Sequence, residues 1–259
     1  MLKDCWIKSK EAKKELKELF SEIDKTLSEI LEESPHTPET SLDGKIGILF
    51  EERSKSHLRR FNSVRESKGL CKIQISVKST THTEAKNGAD IGLVADIDIP
   101  GEINQRKAAL IQSKRLHPNN EKFYQNSKYE SMFYDKETNL DPQWERIQNA
   151  TCSSFYFLYG PYKLKIGRNQ KIFGTRVIDA KLISGKAKAN VKTFSAEDSF
   201  DYGKPLSDWL VDQFLCCKVG DTKEEVIKIA MGKDIQNFPV HDTLFFTIKM
   251  EDISKSEIK

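Results

Sequence analysis

The stretch GADIGLVADIDIPGEINQRKAALIQSKR, residues 88–115, decides the fold. Ile91, Leu93, Ala95, Ile97 and Ile99 alternate with Asp90, Gly92, Val94, Asp96 and Asp98, the period of a β-strand. Pro100-Gly101-Glu102 breaks the run, and residues 107–114 resume as a second strand. A turn centred near Gly101–Glu102 pairs residues whose numbers sum to about 204, which sets Asp90 opposite Lys114 and diagonal to Gln112, within roughly 8 Å between Cα atoms. Gln112 and Lys114, two apart, share one strand face. An aspartate, an amide oxygen and an ammonium are therefore expected to converge at the open end of a hairpin.

Outward from this hairpin, residues 6–33 predict an amphipathic helix, with Leu16, Leu19, Phe20, Ile23, Leu27, Ile30 and Leu31 mostly at steps of three and four. Ser34–Thr40 punctuates the chain, and Thr40 or Ser41 is the expected cap of a second helix through Ile46, Leu49, Phe50 and Leu58. Ile73, Ile75 and Val77 alternate with polar residues as a strand. Residues 121–150 read as helical, broken near Asp141-Pro142, and Ser154–Tyr159 reads as a buried strand. The order helix, three strands, helix, strand predicts an α/β sandwich with a mostly antiparallel sheet. Beyond residue 160, Val177–Ile183 and Leu244–Met250 read as strands, Leu206–Cys217 and Thr222–Met231 as helices. The expected division is an N-terminal helix (1–35), a core (36–160) and an α+β C-terminal extension packed on that core (161–259).

Composition excludes several classes. The 259 residues carry a net charge of +3, so no global field advertises a polyanion partner and nucleic-acid binding must rest on local basic clusters. Five cysteines without a C-x-x-C predict reduced thiols in a cytoplasmic protein. No secretory leader and no membrane span is expected, since no suitable apolar run occurs. A P-loop, a G-x-G-x-x-G and a G-x-S-x-G are all missing, so nucleotide-cofactor and serine-hydrolase chemistry have no support in the sequence.

The hairpin chemistry suits phosphodiester hydrolysis. A hard divalent cation takes oxygen ligands, and Asp90 offers a carboxylate, Gln112 a side-chain oxygen and Ser113 a backbone carbonyl. Lys114 is placed to orient or deprotonate the attacking water and to stabilise charge on the phosphorus. Arg115, and Arg59 and Arg60 in the basic stretch 51–65, are candidate phosphate contacts. Asp96 and Asp98 lie about 20 and 26 Å along the strand from Asp90, too far to share its cation.

Gly88-Ala-Asp90 followed by Leu110-Ile-Gln-Ser-Lys-Arg115 resembles the PD-(D/E)XK, or restriction-endonuclease-like, nuclease superfamily. More narrowly it resembles the branch whose last motif reads Q-x-K, found in prokaryotic defence proteins. The resemblance spans about residues 36–160. It implies a restriction-endonuclease-like core in which the three strands form an antiparallel meander, followed by a helix and a strand. It also implies Mg²⁺-dependent endonuclease activity, with Mn²⁺ as a substitute. The implied substrate is DNA, with RNA left open, in defence against foreign DNA. The implied partners are a second copy of the chain or another defence protein. The same resemblance makes Asp90, Gln112 and Lys114 catalytic and adds Glu39 and Glu84 as acidic companions on the cation. Gln112 departs from the usual carboxylate, and so leaves open a nuclease-fold module that binds nucleic acid or a partner protein without cutting.

Overall fold

The computed structural model describes residues 5–34, 37–82, 89–118, 129–132, 143–166, 169–189, 193–233 and 240–251. Helix α1 (Lys10–Glu33) starts where Ser9 Oγ accepts the Ala12 amide at 3.3 Å, satisfying one of its orphan donors. Its stripe Leu16, Leu19, Phe20, Ile23, Leu27 and Leu31 is buried. Helix α2 (Glu39–Ser67) begins at Pro38, not at a Thr or Ser cap, and no side chain caps it. Pro38 suits that place because its own missing N–H costs nothing there.

The remaining elements follow in chain order. They are β1 (Ile73–Thr81), β2 (Ile91–Ile99), β3 (Ile103–Arg115), β4 (His117–Pro118), β5 (Tyr129–Met132), α3 (Gln143–Ala150), β6 (Ser154–Tyr159), β7 (Lys163–Ile166) and β8 (Asn169–Ile172). Then come β9 (Arg176–Asp179), α4 (Ala180–Lys188), β10 (Thr193–Ser195), α5 (Ala196–Tyr202) and β11 (Lys204–Pro205). A helical turn α6 (Leu206–Asp208) runs into a π-helix (Trp209–Leu215), followed by α7 (Glu224–Ala230) and β12 (Asp242–Met250).

The fold is mixed α/β. Seven strands form one sheet in the order β1-β12-β2-β3-β6-β9-β11. β2 and β3 pair antiparallel, and β6 adds parallel to β3 beyond α3. The expected meander of three consecutive strands does not form: β12 lies between β1 and β2, antiparallel to the first and parallel to the second. Ile73, Ile75 and Val77 bury one face of β1 but Gln74 and Lys78 expose the other, as suits an edge strand. β12 instead buries Leu244, Phe246 and Ile248 on one face and Thr243 on the other, with Phe245 half-buried. Residues 161–259, read as an extension, thus supply three strands of this sheet. Tyr129–Met132 is a strand where a helix was expected, and Val177–Ile183 divides between β9 and α4.

One apolar core fills the space between α1, α2, the π-helix and one sheet face, around Phe20, Phe50, Trp209, Phe214 and Phe246. A second lies on the opposite face, where Val94, Ala108 and Leu110 meet Ile147 of α3 and Val226, Ile227 and Ala230 of α7. Gly92 is required here: a Cβ would stand 1.9 Å from the Ala230 carbonyl oxygen, so only glycine lets α7 lie on β2.

Cys5 and Cys216 are joined by a disulfide, which overturns the expectation of five reduced thiols. Trp6 explains the meeting: its indole N–H donates to the Leu215 carbonyl at 2.7 Å and docks the N-terminal segment on the π-helix. Cys152 is free and exposed, while Cys71 and Cys217 are free and partly buried.

Asp24 on the buried side of α1 accepts the Thr175 amide at 2.8 Å. Burial pushes its carboxyl up to about 7, against the pull of Thr175 and Arg176. An unfolded aspartate titrates near about 3.9, so between about pH 4 and 7 the folded chain holds the extra proton and stability falls as pH rises. Asp24→Asn keeps the acceptor and removes the titration. Its melting temperature should exceed wild type by roughly 5 °C at pH 8 and by much less at pH 5, read by calorimetry.

Candidate active site

The β2–β3 ladder sets the site. Ile99 pairs with Ile103 and Ile91 with Ile111, so paired numbers sum to two less than the sequence reading proposed. The reason is the three-residue turn 100–102, in which Gly101 takes φ +76° and the Glu102 amide returns to Ile99. Continued by one residue, this register sets Asp90 opposite Gln112 and diagonal to Lys114, the reverse of the expected pairing. The convergence survives because both β3 residues lie on one face.

Beyond Ile91–Ile111, the Asp90 carboxylate takes over the ladder. Its Oδ2 accepts the Ser113 amide at 2.7 Å and a hydrogen bond from the Gln112 side-chain N–H₂. The Asp90 carbonyl in turn accepts the His241 and Asp242 amides at 3.1 and 2.8 Å, so the start of β12 pins the residue from behind. An extended residue directs its N–H and C=O to the same neighbour, which turns the Ser113 carbonyl toward Asp90 as well. The other amide atom, Gln112 Oε1, is buried with no hydrogen-bond partner.

Behind this layer stands Asp43, fully buried on α2. Its Oδ1 accepts Ser113 Oγ at 2.8 Å and the Tyr159 hydroxyl at 2.5 Å, while Oδ2 is buried without a partner. Asp242, also buried, accepts Thr81 Oγ1 at 2.7 Å and faces His241 Nδ1 at 2.9 Å.

Charge follows from burial. Desolvation pushes the Asp90 carboxyl up to about 6; the Lys114 ammonium and the Ser113 amide pull it down, and Glu39 pushes it up. Glu39 and Lys114 are thus both near enough to act on Asp90, one from the first turn of α2 and one from β3. Burial drives the Asp43 carboxyl well above the usual aspartate range, and the Asp90 charge adds to it. Buried hard oxygens beside a lysine could hold a small divalent cation: the unpartnered Gln112 Oε1 is an acceptor that such an ion would satisfy.

Residues 62–244 match a family described as a family of unknown function, DUF6615. The chain belongs to DUF6615. The match runs from late α2 into β12, and so takes in Asp90, Gln112, Ser113, Lys114, Tyr159 and Asp242 of this DUF6615 chain. No curated protein and no solved structure matches it.

Other expected site residues of this DUF6615 member divide. Glu84 lies outside the described residues. Arg115 donates to the Thr37 carbonyl at 2.9 Å and so holds the start of α2 against β3. Arg59 and Arg60 sit about 24 Å along α2 from Asp43, at about 1.5 Å per residue. Arg60 belongs to another cluster, with Nε 2.6 Å from Glu15 and a terminal nitrogen 2.9 Å from His57 Nδ1. Glu15, Glu18 and His57 bring ligand-type atoms within 4.8 Å of one another, but the Arg60 guanidinium already contacts Glu15 and His57, which makes an ion-pair seam between α1 and α2. Asp96 pairs with Arg106 and Asp98 with Asn104, as surface residues. Asp43, Tyr159 and Asp242 were missed. An aspartate in a charged helix reads as solvated, and a tyrosine in an apolar strand reads as core.

No helix among the described residues is long and apolar enough to cross a membrane.

Proposed function

We propose that this protein is a metal-dependent nuclease with a restriction-endonuclease-like core of the PD-(D/E)XK type, in its Q-x-K form, that hydrolyses DNA. One observation carries the reading: Asp90 caps the Ser113 amide beside a buried, unpartnered Gln112 oxygen, within electrostatic reach of Lys114 and Glu39. Asp90, Gln112 Oε1, the Ser113 carbonyl and Glu39 are the residues that would hold Mg²⁺ or Mn²⁺, with Glu84 a candidate from outside the described residues. The bound ion supplies Lewis-acid polarisation of the phosphoryl group and neutralises its charge.

The protein groups do the rest. Lys114, as an ammonium, orients the attacking water and stabilises negative charge on the phosphoryl oxygens. Burial of Asp90 and Asp43 strengthens every electrostatic contact to the substrate by excluding water. The site lies at the sheet end beside the N-terminus of α2, whose dipole favours the approach of a phosphate. Defence against foreign DNA, cytoplasmic location and a second copy or a defence protein as partner complete the proposal.

A second reading has its own observation. Gln112 N–H₂ already satisfies Asp90, so the site closes on itself without an ion. A nuclease-fold module that binds nucleic acid or a protein without cutting would show this. Plasmid and linear single-stranded DNA incubated with Mg²⁺, Mn²⁺ or chelator separate the two. Cleavage that needs the ion supports the nuclease. Salt-sensitive DNA binding with no cleavage in either ion overturns it in favour of the module.

A further inference from the structure

We propose that Asp43 and Tyr159 are positioning residues, which act through Ser113 to fix Asp90 for the cation; the inference rests on the metal-site reading above. Ser113 is the joint. Its backbone amide holds Asp90 Oδ2 at 2.7 Å, and its hydroxyl is held by Asp43 Oδ1 at 2.8 Å. Tyr159, brought alongside by the parallel β3–β6 pairing, donates to the same Asp43 oxygen at 2.5 Å. Three elements, α2, β3 and β6, thereby meet on one buried carboxylate, and Ser113 passes that constraint on to Asp90.

Stability alone does not account for Asp43. A buried carboxylate with one oxygen unpartnered costs free energy that a neutral side chain would save. Its two partners share Oδ1, and one of them is the residue whose amide caps Asp90. Groups behind the ligands of a metal commonly set affinity by 10–100-fold.

The test titrates Mn²⁺ into the whole chain by calorimetry and by the electron-spin signal of free Mn²⁺, with melting temperature and DNA cleavage measured in parallel. Ser113→Ala and Tyr159→Phe should each bind Mn²⁺ about tenfold more weakly. Ser113→Thr, which restores the hydroxyl, should return to within about threefold of wild type. Asp43→Asn keeps the Oδ1 acceptor and should also bind within about threefold. Wild-type Mn²⁺ affinity in both Ser113→Ala and Tyr159→Phe overturns the inference. So does an Asp43→Asn chain as weak as Asp43→Ala, which would make the carboxylate itself a ligand. Absence of Mn²⁺ binding in wild type overturns both this inference and the metal site. The predicted affinity pattern without DNA cleavage leaves the positioning role standing and removes the nuclease.

Discussion

If the proposed nuclease reading holds, Asp90→Asn and Lys114→Ala should each lower DNA cleavage by about 10³-fold without unfolding the chain. The asparagine Oδ1 still accepts the Ser113 amide, so the end of the β2–β3 ladder stays closed. What disappears is the negative charge that would hold the proposed cation. Lys114 is partly exposed at the end of β3, and shortening it opens no core cavity. What disappears there is the ammonium that acts on Asp90 and, in the proposed reaction, on the phosphate. Glu39→Gln, one step farther out on α2, should cost less, about tenfold. Single-turnover cleavage of plasmid and single-stranded DNA, with calorimetry on each variant, checks this. If both Asp90→Asn and Lys114→Ala cut within tenfold of wild type, the chemistry is elsewhere.

Gln112→Glu has an effect of opposite sign with and without the ion. In chelator the new carboxylate faces Asp90 Oδ2 across the position of a lost N–H donor. Gln112 is buried, so two like charges in low dielectric disfavour folding. The melting temperature should fall by roughly 5–10 °C at pH 8. At lower pH the loss shrinks, because a proton shared between the two acids replaces the missing donor. Saturating Mn²⁺ should recover the whole loss, since a second carboxylate on the cation binds it more tightly than an amide does. Mn²⁺ affinity is expected to rise by at least tenfold. A variant that melts like wild type in chelator and gains nothing from Mn²⁺ would show that residue 112 does not face the cation.

These variants concern the part of the molecule that its residues announce openly. The β2–β3 hairpin is local, and its alternation writes the strand faces directly into the sequence. Register was harder. Three residues in the turn, with Gly101 in the left-handed region, shift every pairing by one residue on each strand, and no periodicity encodes that choice. Distant contacts were harder still. Asp43 and Tyr159 are separated by 116 residues, and their hydrogen bond exists only once α2 and β6 lie on the same sheet end. Cys5 and Cys216, 211 residues apart, met for the same reason, through a tryptophan that docks its own chain end. Leu244–Met250 was legible as a strand, but its slot between β1 and β2 was not, because an apolar strand carries no address for its neighbours.

That slot imposes a timetable on synthesis. During translation the hairpin with Asp90 and Lys114 emerges long before residues 242–250, yet its outer edge waits for them. A nascent chain stopped near residue 230 exposes the unpaired edge of β2 and leaves the Asp90 carbonyl without the amides that pin it. The Asp90 end of the hairpin is therefore expected to reach its final form only on chains read through β12.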